Sequence, residues 1–340
     1  MNPIQEKGII NDPSKLENLP VTYQAITDYF EKVKQINPFI LRKETFLRIE
    51  RITGRPLICY VTKTHNLPRG IPAYIDDSDL IGFADLIQTV QGDMVDIFLV
   101  SNGGSAEATE RIVRLLRGRF NAIRFIVPAN AYSAATIMCF SGDEIYMDSL
   151  GTLGPIDPQI EGVPARAILR AFETIENRLK EEGPRALTAY MPLISKYDLH
   201  ILEICKSAQQ LSQELARNWL SSYMLKCKED DPRIVKCVDF FSNYDIHKSH
   251  GRSIDREKVR EFGIKAINIE ETEGLADAVR SLSNQYELWF DKTSFYKVFE
   301  NAWGINWGRQ TQSVTFQLPV LAPPGMPQPV PQPGPPQQSG

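Results

Sequence analysis

Ser133 is the strongest candidate for a nucleophile in this sequence. It lies in VPANAYSAATIMCF, where a short apolar run ends and a helix rich in small residues is predicted to begin. A serine at a helix N-terminus gains from the helix dipole, and the neighbouring alanines leave room for a substrate. A serine that only caps the helix is the alternative interpretation of the same pattern.

A second turn, in FLVSNGGSAEATERIV, places Gly103 and Gly104 between a predicted strand and a predicted helix. Glycines let the backbone turn sharply and present N–H groups to a ligand. The turn therefore indicates a phosphate site or an oxyanion hole, although it matches neither a Walker A loop nor the GxGxxG fingerprint. A tight turn without any ligand is the alternative.

The elements that must position these residues alternate between short apolar strands and amphipathic helices. They are predicted at residues 55–64, 76–91, 94–101, 105–120, 122–128, 131–142 and 143–148. This alternation predicts an α/β fold whose largely parallel sheet is covered by helices on both faces. Because parallel strands end at the same edge of a sheet, the amides of Gly104 and Ala134 are expected to converge near Ser133. A nucleophile beside two backbone donors is typical of acyl transfer.

The run SNGG…YSAATIMCFSGDEIYMDSLGTLGPIDPQI resembles the Clp protease/crotonase superfamily. It is most similar to the serine dehydrogenase proteinase branch, which is related to signal peptide peptidase A. The similarity is strongest over about residues 55–160 and continues more weakly to about residue 285. It implies an α/β fold, a Clp/crotonase-like spiral of ββα units with a helical C-terminal region.

The resemblance also implies roles for individual residues. Ser133 is then the nucleophile of a serine peptidase, and the amides of Gly104 and Ala134 form its oxyanion hole. The sequence departs from the family pattern at Asn102, where a proline is common, and at Ala135, where a glycine is common. Either change can alter the loop geometry, and neither removes a catalytic atom.

The base that activates Ser133 is not evident from the sequence. Clp-type proteases place a histidine just beyond the next strand, but here that region reads LGTLGPIDPQI and contains none. The chain has four histidines, at His65, His200, His247 and His250. The segment SHGR resembles a recurring family segment, which makes His250 a possible catalytic residue, with a structural histidine as the alternative. Asp157 is interpreted as orienting a water or a partner group, or as capping a turn.

The signal peptide peptidase branch uses a Ser–Lys dyad instead. A lysine acts as a base only where burial lowers its pKa. Lys180 sits beside two glutamates and is ranked last, while Lys206 falls inside a helix where exposure is usual. Lys196 lies in the apolar stretch YMPLISKYDLHIL and is therefore the predicted base, with a solvated lysine as the alternative.

The chain divides into four predicted segments. Residues 1–54 form an N-terminal helical arm, residues 55–290 the Clp/crotonase-like peptidase domain, and residues 291–317 a C-terminal extension. Proline and glutamine dominate residues 318–340, which predicts a disordered or polyproline tail. A solvated tail is expected, and docking of this tail onto a protein partner is the alternative.

Composition excludes several classes of function. The 340 residues carry a net charge of −4, so no nucleic-acid partner is expected. No window reaches the roughly 18 apolar residues of a membrane span, and the N-terminus lacks the apolar core of a signal peptide, which predicts a cytoplasmic protein. Five cysteines without a CxxC pair predict reduced thiols, and no metal or organic cofactor is indicated.

Three functions are consistent with these patterns. The first is a serine peptidase that cleaves a peptide or protein substrate through an acyl-enzyme on Ser133. The second is an inactive scaffold or partner-binding subunit of the same fold, and the third is a crotonase-like acyl-CoA enzyme in which the two amides stabilise an enolate. Members of the superfamily usually associate through projecting helices, so a homo-oligomer is expected, with the apolar-striped helix at 198–225 as a candidate interface.

Overall fold

The structure of this chain, a computed structural model, describes residues 19–32, 38–198 and 200–311. The strands of these residues are β1 (Leu57–Thr62), β2 (Met94–Val100), β3 (Ala122–Val127), β4 (Asn130–Ala131), β5 (Glu144–Met147), β6 (Thr152–Leu153), β7 (Gln159–Ile160), β8 (Val163–Pro164), β9 (Ile254–Asp255), β10 (Ala266–Asn268), β11 (Phe295–Asn301) and β12 (Asn306–Gln310).

The helices of the described residues surround these strands. They are α1 (Tyr23–Lys32), α2 (Pro38–Thr53), α3 (Asp79–Thr89), α4 (Ala106–Arg119), α5 (Ala134–Phe140), α6 (Ala165–Glu182), α7 (Leu187–Ile194), α8 (Ile201–Trp219), α9 (Pro232–Ser242), α10 (Tyr244–His247), α11 (Arg256–Arg260) and α12 (Leu275–Lys292).

Seven strands form the main sheet in the order β10-β5-β3-β2-β1-β11-β12. The neighbours from β10 to β1 pair in parallel, whereas β11 runs antiparallel to both β1 and β12. Every residue of β1 is buried, and so are six of the seven residues of β2, as expected for strands covered on both faces. The turns after β1, β2 and β3 consequently lie at one edge of the sheet.

Helices cover the sheet on both faces. On one face, α3, α4, α5, α8 and α9 contribute to a large apolar cluster, and on the other α2 and α12 form a second cluster. The buried residues of α12 include Leu275, Val279, Leu282 and Tyr286, which recur at helical spacing. The predicted α/β fold, with a largely parallel sheet between helical layers, is confirmed.

Two small sheets lie beyond the carboxyl edge of the main sheet. Strands β4, β6 and β9 form one of them, and β7 and β8 form a short antiparallel hairpin. A helical region follows, in which α6 and α8 pack together around a small apolar cluster. A π-helical turn at Leu220–Met224 directly follows α8. The helix predicted at 198–225 therefore consists of an α-helical part and a π-helical part.

The chain's outer segments join the same core. Helices α1 and α2 of the predicted N-terminal arm pack against α12, and the predicted C-terminal extension contains β11 and β12 of the main sheet. Residues 1–18 and the predicted tail at 318–340 lie outside the described residues. No helix among the described residues is both long enough and apolar enough to cross a membrane.

Candidate active site

Ser133 occupies a strained backbone conformation between β4 and α5. Its φ and ψ are 53° and −123°, a combination that only glycine adopts freely. The side chain makes no capping hydrogen bond to the helix that follows, so the interpretation of Ser133 as a simple N-cap is not supported. Strain of this kind persists only where the surrounding structure imposes it, and it is common at nucleophiles that must project from a tight strand-to-helix turn.

The Gly103–Gly104 turn packs directly against the Ser133 turn. A Cβ atom added to Gly103 would lie 2.5 Å from Tyr132 O and 2.7 Å from Ser133 Cβ, so any side chain there would push the two turns apart. On its other side the turn pairs with Ile75, and a Cβ atom on Gly104 would lie 2.3 Å from Ile75 O. Glycine is therefore required at both positions for the turns to meet.

The backbone hydrogen bonds of this turn orient the Gly104 amide. Ile75 N–H donates to Gly103 O at 2.8 Å, and Ser105 N–H donates to Ile75 O at 2.9 Å. Since consecutive residues of an extended segment point their N–H groups to opposite sides, the Gly104 N–H faces away from Ile75. Ala134 is the first residue of α5, so its N–H has no acceptor within the helix. Both amides belong to residues that line one cavity with Ser133.

Asn102 occupies the position where the family pattern commonly has a proline, and its side-chain hydrogen bonds hold the turn in place there. Its side-chain amide donates to Thr64 O at 2.8 Å, and its Oδ1 accepts from Asn130 Nδ2 at 2.6 Å. These bonds tie the glycine turn to the end of β1 and to β4, which leads into Ser133. Ala135, the second departure, is buried in α5.

The cavity that contains Ser133 is open and has a volume of about 740 Å³. Its lining combines the glycine turn, the start of α5, the β7–β8 hairpin and one face of α8. Ile137, Ile156 and Leu211 supply apolar surface beside the serine. The cavity is large enough for several residues of an extended peptide, and its mixed lining suits a peptide better than a small apolar ligand.

His250, which lines this cavity, forms a hydrogen-bonded pair with the buried Asp157. His250 Nδ1 lies 2.9 Å from Asp157 Oδ1, and Gln159 Nε2 donates to Asp157 Oδ2 at 2.9 Å. Asp157 is buried, with 1% of its side chain exposed, while His250 is partly exposed and lines the cavity. Both carboxylate oxygens of Asp157 are therefore occupied, and the imidazole Nε2 is the ring nitrogen left for another partner.

Local contacts explain why these two segments meet. Thr136 Oγ1 donates to Ala131 O at 2.6 Å and accepts the Gly154 N–H at 3.0 Å, which fixes the LGPIDPQI segment against α5. Ile156 N–H donates to Phe241 O at 2.9 Å, which ties the same segment to the end of α9. The chain then reaches His250 through α10.

The structure does not bring the lysine candidates together with Ser133. The apolar run before Lys196 forms α7, which buries none of its residues, and Lys196 itself is exposed. Lys206 is exposed on α8, and Lys180 is exposed and paired with Glu176 at 2.6 Å. None of the three is among the described residues that line the cavity.

The other histidines have different surroundings. His65 is exposed beside Glu287, and His200 is exposed at the start of α8. His247 is buried, and its Nε2 lies 2.7 Å from Phe240 O. Burial lowers the pKa of His247, so this ring is neutral and structural.

A buried ionic network supports the strand segment beneath the glycine turn. Lys297 is fully buried, and its Nζ donates to Asp79 Oδ1 at 2.8 Å and to Asp76 Oδ2 at 3.0 Å. Burial opposes the ionisation of Asp76, but hydrogen bonds from Ser78 and Lys297 outweigh it and lower the pKa of Asp76 below its usual range. Asp76 directly follows Ile75, so the network fixes the segment on which the Gly104 amide depends.

The sequence patterns left the role of Asp157 open and did not single out Gln159, which the structure places in a hydrogen bond with Asp157. The signal available was the spacing of LGPIDPQI, which carries a carboxylate and an amide two residues apart. No group of three or more His, Cys, Asp or Glu side chains able to hold a metal ion occurs in the described ranges.

The profile of the ClpP-like SDH-type serine proteinases matches residues 29–188, which include both glycines of the turn, Ser133 and Asp157. Residues 29–188 belong to this family. The predicted relationship to the serine dehydrogenase proteinases, and with it the Clp-like fold, is thereby confirmed. Membership supports a serine peptidase activity, while Lys196, Lys206 and His250 all lie beyond the matched residues.

Two curated relatives, both uncharacterized proteins of Methanocaldococcus jannaschii, are similar to this chain. One is 29% identical over 190 residues, which cover 52% of this chain and 64% of the relative. The other is 36% identical over 109 residues, which cover 31% of this chain and 37% of the relative. The chain thus spans less than two thirds of the length of either protein.

Proposed function

We propose that this chain is a serine peptidase in which Ser133, His250 and Asp157 act as a catalytic triad. The observation that carries the proposal is the hydrogen bond between buried Asp157 and partly exposed His250, whose imidazole lines the same cavity as the strained Ser133. The family of residues 29–188 supports the peptidase class, and the choice of His250 as the base rests on the geometry of the cavity wall.

The proposed reaction begins when Ser133 Oγ attacks the carbonyl carbon of a peptide bond. The serine proton passes to His250 Nε2, and Asp157 stabilises the resulting imidazolium through Nδ1. The Gly104 and Ala134 amides donate to the oxyanion that forms on the carbonyl oxygen. His250 then returns the proton to the leaving amine, and the acyl-enzyme remains on Ser133. Water, deprotonated by the same imidazole, attacks this ester and releases the acid and the free serine.

The Ser133–Lys196 dyad is the competing proposal for activation. A lysine base must lose its proton near neutral pH, which requires a desolvated environment. Lys196 is exposed and follows a helix without buried residues, whereas Asp157 provides His250 with a buried, oriented carboxylate. These contrasts favour the histidine.

Labelling with a fluorophosphonate probe tests the nucleophile. We expect the wild-type protein to be labelled and to cleave a casein or quenched-peptide substrate, and Ser133→Ala to do neither. Ser212→Ala is the matched control, because Ser212 lines the same cavity without the strained turn. Equal labelling of wild type and Ser133→Ala would exclude Ser133 as the nucleophile.

The rival functions give different results in the same experiment. An inactive scaffold of this fold is neither labelled nor able to cleave peptides, although it folds normally. An acyl-CoA enzyme needs the two amides but not the serine hydroxyl, so it binds a CoA thioester in calorimetry and retains that binding in Ser133→Ala.

A homo-oligomer is the proposed state of the chain. The surface that supports it is α7, where Leu187, Met191 and Leu193 expose 40%, 49% and 54% of their surface. Exposed apolar side chains concentrated on one helix are typical of a protein contact. Sedimentation of Leu193→Glu beside wild type tests this surface, and identical sedimentation of the two proteins would contradict it.

A further inference from the structure

We propose that Glu107 and Glu161 make the cavity selective for peptides that carry a lysine or arginine close to the scissile bond. The inference rests on the proposed peptidase function and adds a substrate class to it. Both carboxylates line the same cavity as Ser133, and both side chains are exposed to the solvent in which a substrate would arrive.

Glu161 stands at the tip of the β7–β8 hairpin. Its φ is 52° and that of Gly162 is 80°, so these two residues form the tight turn that joins paired Ile160 and Val163. The hairpin begins at Gln159, which is itself bonded to Asp157. The Glu161 carboxylate is therefore carried by a short, constrained element on the side of the cavity that holds the Asp157–His250 pair.

Glu107 lies on the side of the oxyanion hole. It sits in the first turn of α4, three residues after Gly104, and its Oε2 accepts a hydrogen bond from Ser105 Oγ at 2.9 Å. Ser105 Oγ in turn accepts the Ala108 N–H at 3.0 Å as the N-cap of the helix. The carboxylate is thus held beside the glycine turn by the cap of the helix that carries it.

No cation neutralises these two carboxylates within the described lining. None of the described residues that line the cavity is a lysine or an arginine. Arg111, one turn beyond Glu107 on α4, pairs with Asp77 at 2.6 Å, and Arg166, which follows the hairpin, pairs with Glu173 at 3.0 Å. The nearest arginines in sequence therefore have carboxylate partners of their own, and the cavity keeps two negative charges.

A peptide entering this cavity meets negative charge beside the glycine turn and at the tip of the β7–β8 hairpin. A basic side chain near the scissile bond gains Coulombic attraction there, while an acidic one is repelled. Contacts between exposed charges are weak, so we expect a preference of about two- to fivefold from each glutamate. Because exposed charges are screened by salt, the preference must shrink as ionic strength rises.

Three internally quenched peptides that differ only in Lys, Ala or Glu flanking a common apolar residue test the inference. We expect kcat/KM to fall in the order Lys, Ala, Glu at low salt, and the ratio of Lys to Glu to approach one in 0.5 M NaCl, a concentration at which the Debye length is about 4 Å. Glu107→Gln and Glu161→Gln should each lower that ratio by about two- to fivefold. Glu110→Gln is the matched control, since Glu110 is an exposed residue of α4 outside the cavity lining.

The result that overturns the inference is equal cleavage of the Lys and Glu peptides at low salt in a protein whose cleavage depends on Ser133. Failure of the proposed function looks different, because then no peptide is cleaved. In that case, fluorescence anisotropy with Ser133→Ala measures the binding of the same three peptides without turnover. Tighter binding of the Lys peptide that weakens in Glu161→Gln supports the inference, and equal binding of all three rejects it.

Discussion

His250 and Asp157 are 93 residues apart in sequence, yet Nδ1 of His250, which lines the Ser133 cavity, lies 2.9 Å from Asp157 Oδ1. A buried carboxylate that accepts from both a histidine and Gln159 fixes the orientation of the imidazole ring. With Nδ1 directed to Asp157, Nε2 is the nitrogen available to take a proton. This pairing is the geometric support for the proposal that His250, a possible catalytic residue in the sequence, is the base of Ser133.

Replacing His250 separates the two proposals for activation. We expect His250→Gln to lower kcat by at least about 10³-fold, because a triad without its base loses proton transfer. Lys196→Met should change kcat by less than about twofold, since exposed surface side chains away from a site rarely matter. Rates of peptide hydrolysis, with circular dichroism to confirm folding, decide between them. A large loss in Lys196→Met with an active His250→Gln would instead establish the dyad.

The conformation of Ser133 predicts an unusual effect on stability. Ser133→Gly removes the strain of a side chain at a φ of 53°, and Ser133→Ala keeps it. We expect the glycine variant to be about 0.5–2 kcal/mol more stable than the alanine variant, after the greater chain entropy of unfolded glycine is subtracted. Chemical denaturation of both inactive proteins measures the difference. An alanine variant as stable as the glycine variant would mean that the turn relaxes without cost.

The positions of Ser133, Gly103 and Gly104 could be predicted because each follows a strand of a local βαβ pattern, and such turns meet at one edge of a parallel sheet. The Asp157–His250 pair, on which the proposed base depends, could not be predicted in this way, because the two residues come from segments joined only by tertiary contacts. The prediction of Lys196 as the base assumed that the apolar stretch before it is buried. An apolar stretch such as the one that forms α7 is ambiguous in sequence between a buried helix and an exposed one, and here it buries no residue.

We expect Gly104→Ala to lower kcat while the rest of the chain still folds. The added methyl group would lie 2.3 Å from Ile75 O, so the turn must move and carry the Gly104 amide with it. We expect kcat to fall by about 10²–10³-fold, the usual loss for one oxyanion-hole donor. Gly118→Ala is the matched control, because its Cβ meets nothing within 4 Å on α4, and it should leave kcat unchanged. Comparable kcat values for the two variants would contradict the proposal that the Gly104 amide belongs to the oxyanion hole.

His247 predicts how stability depends on pH. Burial lowers its folded-state pKa below the ordinary value of 6.5, so below that pH the unfolded chain binds the proton first. The neutral His247 ring therefore contributes fully to the free energy of unfolding above pH 6.5. This contribution is lost as the pH falls toward the folded-state pKa, and the free energy of unfolding then changes by at most about 1.4 kcal/mol per pH unit. Urea denaturation of wild type and His247→Gln between pH 8 and pH 5 measures this. If the free energy of unfolding depended on pH in the same way in the two proteins, His247 would not be the source of the pH dependence.

Lys297 should be essential to both stability and activity. It is fully buried against Asp79 and Asp76, so Lys297→Met leaves two carboxylates without their cation and should cost about 3–5 kcal/mol. Because Asp76 adjoins Ile75, which pairs with Gly104, kcat should also fall in the folded fraction. Adding Asp79→Asn to Lys297→Met removes one of the two carboxylate charges left without a cation, and it should restore part of the lost stability. Denaturation of the two single variants and the double variant gives the coupling energy, and additive losses would show that the ions do not act as a unit.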